Sequence, residues 1–112
     1  MNNKLIEKLN ELISKHQVIA EQLKDEMIYQ DHALLKKLNQ EFSKIDPIIK
    51  KYDEYKNAIK LIEESQAFLN EKDKDLKLMA EEEISVNTNI RDSLEEYLEN
   101  ELVDKDPNDS KD

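Results

Sequence analysis

Two histidines and a large excess of carboxylates over bases are the chemically active groups of this 112-residue chain. His16 falls on an apolar helical seam. An imidazole there serves as a metal ligand or a proton switch only if a second His or a carboxylate cluster stands at ligand spacing. None does along the sequence, so His16 reads as a partly buried side chain with its polar edge at the seam margin. His32 follows Asp31, a good N-cap residue, and reads as a first-turn surface position. Carboxylate-bridged metal sites in helical bundles place a Glu three residues before each His. Ile13 and Tyr29 hold those two places, which defeats a metal enzyme on spacing. Glycine is absent, so no Gly-rich phosphate loop, nucleophile elbow or dinucleotide fingerprint exists. No base–nucleophile constellation remains, and the chain is expected to be no enzyme, with no catalytic, cofactor-binding or metal residues. The acid triplet Glu81-Glu82-Glu83 reads as a solvated helix face.

Composition bounds the partners. A net charge of −10 argues against direct contact with a nucleic-acid backbone or an anionic membrane. No apolar run exceeds three residues, which excludes a membrane span or a signal h-region. Zero cysteines fit a reducing compartment, and the cytoplasm is the expected location. With 39% charged and 38% hydrophobic residues, narrow apolar seams in a helical bundle are expected rather than a thick core.

The elements follow from periodicity. In residues 3–24, Leu5, Leu9, Leu12, His16, Ile19 and Leu23 form a heptad-like seam, widened by Ile6, Ile13 and Ala20. Residues 25–30 break the pattern, and Asp25 and Asp31 frame a single turn. Met27, Ile28 and Tyr29 in that turn would either dock a partner or tuck back onto the bundle, and tucking is the ordinary outcome. The longest element runs from Asp31 to Leu69. Its stripe is Leu38, Phe42, Ile45, Ile49, Tyr52, Tyr55, Ile59, Ile62 and Leu69, and it crosses Pro47 in phase. One helix of about 55 Å, kinked near Asp46-Pro47, is therefore predicted. The polar segment Asn70, Glu71, Lys72, Asp73, Lys74 and Asp75 supplies the next turn, capped by Asp73 or Asp75. A third helix is predicted over about 76–102 with the stripe Leu76, Met79, Ala80, Val86, Ile90, Leu94, Tyr97 and Leu98. Glu83 and Asn87 weaken its middle. The fold class is all-α, an antiparallel bundle of three long helices over 1–103. Residues 104–112 are polar, contain Pro107, and read as a linker. In such an up-down-up bundle the turn at 70–75 is the free tip, the natural place for contact with a large partner.

Three segments carry a family resemblance. Leu38-Asn39-Gln40-Glu41-Phe42-Ser43-Lys44-Ile45-Asp46-Pro47-Ile48-Ile49 resembles the LSKEYAxLEPVV stretch of the bacterial peptide chain release factor 1 family. Met79-Ala80-Glu81-Glu82-Glu83-Ile84 is similar to that family's MAEEEL. Lys105-Asp106-Pro107-Asn108-Asp109-Ser110-Lys111 resembles the KDPNDSKN that precedes its codon-reading and catalytic core. The ordered set spans the chain in register, and the Trp usual in the loop region of release factor 2 is missing. The resemblance implies the family's N-terminal helical domain, with 104–112 leading toward an absent core, as in a piece of a longer protein. Peptidyl-tRNA hydrolysis in the family needs Gly-Gly-Gln, and stop-codon discrimination by factor 1 needs Pro-x-Thr. Neither tripeptide occurs here. What the resemblance implies instead is docking near the stalk-base protein region of the ribosome, and contact with the methyltransferase that modifies the catalytic glutamine. A free-standing acidic coiled-coil adaptor or holdase-like module would have the same composition. Concentration-dependent mass would mark that alternative.

Overall fold

The computed structural model describes residues 1–103; the predicted linker 104–112 lies outside the described residues. Three α-helices make up the fold: α1 (Asn3–Gln22), α2 (His32–Gln66) and α3 (Lys74–Val103), with 3₁₀ segments at Glu26–Gln30 and Ala67–Asn70. The chain divides into two compact units, Met1–Lys50 and Lys51 onward.

In the first unit, polar side chains start each helix. Asn2 Oδ1 accepts from the Leu5 amide at 2.8 Å, satisfying one of the unpaired amides at the head of α1. Asp25 Oδ1 accepts from Met27 N–H at 2.9 Å and Asp31 Oδ1 from Leu34 N–H at 3.1 Å, so the two expected caps frame the single turn between them. Among the described residues none has a positive φ. A glycine-free chain thus reverses through 3₁₀ turns and aspartate caps instead of left-handed residues.

Ile19, Leu38 and Ile45 form the buried core of this unit, with Leu12, Leu23, Ile28, Leu34, Phe42 and Ile49 packed around it. Leu5 and Leu9 on the same α1 seam are also buried. The 25–30 turn corrects one expectation. Only Ile28 tucks onto the core, while Met27 and Tyr29 are 67% and 53% exposed. One 3₁₀ turn has three residues, so only one of three neighbours faces inward. The Tyr29 hydroxyl is fixed outside, donating to the Leu23 carbonyl at 2.8 Å.

α2 is continuous through Pro47. Pro47 and Ser43, whose carbonyl loses its amide partner to the proline, are both exposed, so water can satisfy that oxygen. On the other face Ile45 and Ile48 are buried to either side of the proline. Burial of these neighbours opposes the roughly 3 kcal/mol that an interior proline costs a helix.

In the second unit Tyr55, Ala58 and Ile62 of α2 and Ala80, Asn87 and Leu98 of α3 are buried. The predicted α3 stripe needs correction. Leu76, Met79, Val86 and Ile90 are exposed, and the inward row is Ala80, Ile84, Asn87, Arg91, Leu94 and Leu98. These positions step by four, three, four, three and four, one unbroken helical face. Val86 and Ile90 lie about 80–120° off it at 100° per residue. Asn87 can join that face because its amide is satisfied within α3: Nδ2 donates to the Glu83 carbonyl at 2.8 Å and to Glu83 Oε2 at 3.2 Å.

Two outcomes follow from this packing. Leu98→Ala should lower the unfolding free energy by about 2–5 kcal/mol, and Ile90→Ala by less than about 1 kcal/mol, both read by urea denaturation. Equal losses would restore the sequence-predicted stripe. Pro47→Ala should raise stability by about 1–3 kcal/mol, because it returns an amide to the Ser43 carbonyl without disturbing the buried face.

Candidate functional site

Two groups of side chains have the chemistry to act, one in each unit. In the first, α1 and α2 bring together residues thirty positions apart. His16 Nε2 lies 3.0 Å from Asp46 Oδ1, and the imidazole stacks on Phe42 with ring centroids 4.6 Å apart. A carboxylate only accepts, so Nε2 carries the hydrogen and donates it. Lys50, one turn on from Asp46, places Nζ 3.0 Å from Asp46 Oδ2. Asp46 thus uses one oxygen between helices and the other within α2. The Lys50 ammonium foremost, and the His16 hydrogen bond after it, hold the Asp46 carboxyl below its ordinary 3.8, against the opposing effect of burial. A histidine oriented by a carboxylate is half of a hydrolytic arrangement, but no nucleophile completes it among the described residues: the contacts of the ring are Asp46 at Nε2 and Phe42 stacked on its face. The group is a clamp between helices.

The expected reading of His16 as a partly buried residue with its polar edge at the seam margin holds, and the structure adds that Asp46 satisfies that edge. Its partner was not legible locally, since no spacing signal links residues 16 and 46. His32 is exposed at the start of α2, as expected. Among the described residues no three His, Cys, Asp or Glu side chains gather to hold a metal ion.

The second group surrounds the turn between α2 and α3. Of the six candidate contact residues, Asn70 closes the 3₁₀ segment, Glu71, Lys72 and Asp73 form the connection, and Lys74 and Asp75 already lie in the first turn of α3. All six are exposed. The Glu71 amide donates to the Phe68 carbonyl at 3.2 Å and leaves the chain extended. Asp73, one of the two expected caps, starts α3: its Oδ1 accepts from the Asp75 amide at 2.9 Å and its carbonyl from Lys77 N–H at 3.1 Å. The aspartates at 73 and 75 also sit where a helix N-terminus favours negative charge.

Beside this turn is a feature that the sequence reading missed. Phe68, Leu76, Met79 and Ala80, with Ser65 and Glu83, line an open hollow of about 210 Å³. Exposed apolar residues at 68, 76 and 79 were available as a signal. The sequence reading places Leu76 and Met79 inward on the α3 stripe and gives Phe68 to neither stripe. Further along this unit Tyr52 and Tyr55 stack at 6.2 Å, and Lys56 Nζ sits 4.7 Å from the Tyr52 ring centre. Burial first, and the Glu95 charge second, push the Tyr55 phenol up, so it stays protonated. None of these groups is a nucleophile paired with a base. The arrangement suits recognition.

No described helix is long and apolar enough to cross a membrane. The PCRF domain family profile matches residues 12–112. The chain is 36% identical over 112 residues to peptide chain release factor 1 of Mycoplasma mycoides subsp. mycoides SC, covering 99% of this chain and 31% of that protein. It is 35% identical over 108 residues to peptide chain release factor 1 of Cytophaga hutchinsonii, covering 96% of this chain and 30% of that one. The chain spans about a third of the length of these curated relatives. No solved structure matches it.

The clamp has a pH signature. Because the folded Asp46 carboxyl gives up its proton more readily than the unfolded one, its stabilisation is present above the ordinary aspartate range and is lost as pH falls through the lowered folded value. Asp46→Asn should therefore be less stable than the parent at pH 5–7, with the gap closing toward about pH 2 in urea titrations. A gap unchanged across that range would remove the charged clamp.

Proposed function

Because the chain belongs to the PCRF domain family, we propose that it is the N-terminal helical domain of a translation termination factor of the release factor 1 kind, a ribosome-docking module and not a catalyst. The observation that carries this reading is identity above one third to peptide chain release factor 1 across 99% of the chain. On this reading residues 1–103 are the helical domain and 104–112 the polar linker toward a codon-reading and catalytic core. The glycine-free sequence has no Gly-Gly-Gln and supplies no hydrolytic group of its own.

The mechanism proposed is positional. The thirty-residue α3 separates the turn at Asn70–Asp75 from Val103, and the tip meets the stalk-base protein region of the ribosome. The acidic surface suits a basic ribosomal protein better than RNA phosphates. The release-factor glutamine methyltransferase is a second partner on the same reading, and the cytoplasm is the setting.

A chimera tests this. The matching segment of the Mycoplasma mycoides factor is replaced by this chain, or deleted, and peptide release is measured on stop-codon-programmed ribosomes. The chimera should show a KM for ribosomes about tenfold or more below that of the deletion, with kcat less affected. Equal KM values would overturn the docking role. Reversing charge at Glu71, Asp73 and Asp75 to Lys in the chimera should raise KM several-fold, about threefold or more. No change would move the contact away from the tip.

A further inference from the structure

The hollow beside the tip has the form of a receptor for a single side chain. Its lining combines residues from α2, the following 3₁₀ segment and α3, all within the second unit. Phe68 is 48% exposed and Met79 62% exposed at its mouth, and Leu76 is exposed beside them. Water-exposed apolar groups clustered around a concavity mark a place where burial awaits a partner. About 210 Å³ is below the roughly 300–1,000 Å³ of pockets that enclose small molecules, but it admits one bulky apolar side chain. The flexible thioether of Met79 can adjust to its shape.

Charge selects what carries that side chain. Between residues 63 and 83 the sequence places eight carboxylates against three lysines. Among the described residues none of those eight carboxylates is in an ion pair. They run as Glu63-Glu64 on α2, Glu71, Asp73 and Asp75 around the turn, and Glu81-Glu82-Glu83 on α3. An apolar hollow lined by Glu83 and set in a segment where eight carboxylates against three lysines leave a net charge of −5 repels nucleic acid, and it repels the same surface of a second copy. It attracts cations that arrive together with a hydrophobic anchor.

We propose that this hollow seats one bulky apolar side chain of a lysine- or arginine-rich protein segment, with the surrounding carboxylates receiving the basic residues. This rests on the docking reading above and gives the tip its hydrophobic anchor. Glu71, Asp73 and Asp75 of the turn then steer the partner, and Phe68, Leu76 and Met79 hold it.

The test uses the 112-residue chain with ¹³C-methyl-labelled methionine. Met79 reports the hollow, and Met27, exposed in the first unit, is the internal control. The probe is a helical peptide of about four turns with Leu on one face and Lys on the other. The Met79 methyl resonance should move on titration while that of Met27 stays. Peptides with Leu replaced by Ala, or Lys by Glu, should bind at least about tenfold more weakly. Phe68→Ser, a change at an exposed position, should weaken the Lys/Leu peptide by about tenfold. Equal binding of either control peptide, or Met27 moving together with Met79, would overturn the proposal. So would a Met79 shift that follows chain concentration without peptide, since a second copy would then fill the hollow. Peptide failure with a working chimera removes the hollow alone. A failed chimera with specific peptide binding leaves the hollow and removes the ribosomal reading.

Discussion

The fold depends on the helical phase of α2 through Pro47. A proline in a helix interior withdraws one hydrogen bond and presses its ring on the preceding turn. Here both affected positions, Ser43 and Pro47, are exposed, while Ile45 and Ile48 are buried on the other face. The defect is therefore placed where water can repair it, and the apolar row continues where water is excluded. Had the proline fallen at 45 or 48, it would have replaced a buried isoleucine of the apolar row.

The same separation of faces governs the polar groups at the seam margins. His16, Asp46 and Lys50 lie at the margin of the first unit's core, where Phe42 covers the ring and Lys50 neutralises the carboxylate. Asn87 shows the same solution on α3, where a buried amide is satisfied by its own helix at Glu83. Polar groups at seam margins are tolerated because each finds a partner within reach. An unpartnered one would lose about 1–3 kcal/mol. Exposed pairs such as Lys51–Glu54 and Lys24–Glu21 add little beside these.

The surface around the α2–α3 connection differs in kind. Its acids make no ion pair among the described residues, Phe68, Leu76 and Met79 are exposed, and its backbone is secured by Asp73 and by the Glu71 amide on Phe68. A turn whose backbone is already hydrogen-bonded, with apolar and acidic side chains left in solvent, suits a recognition surface: ordering entropy is spent in folding, before any partner arrives.

Fold class, three helices, the aspartate caps at 25, 31 and 73, and passage of α2 through Pro47 were legible in the sequence. Each rests on local rules: an apolar step of three or four, and a carboxylate reaching an amide two or three residues on. The family was legible as well, from Leu38–Ile49 and the other ordered motifs. The tertiary structure decided what no local rule contains. It paired His16 with Asp46 across thirty residues, turned α3 so that Asn87 faces in and Val86 faces out, and left Met27 and Tyr29 in solvent. Helical periodicity defines candidate faces from one strand of sequence, but a weakly apolar helix offers several, and only the packed neighbours select among them. The hollow beside Phe68 and Met79 exists because of that selection.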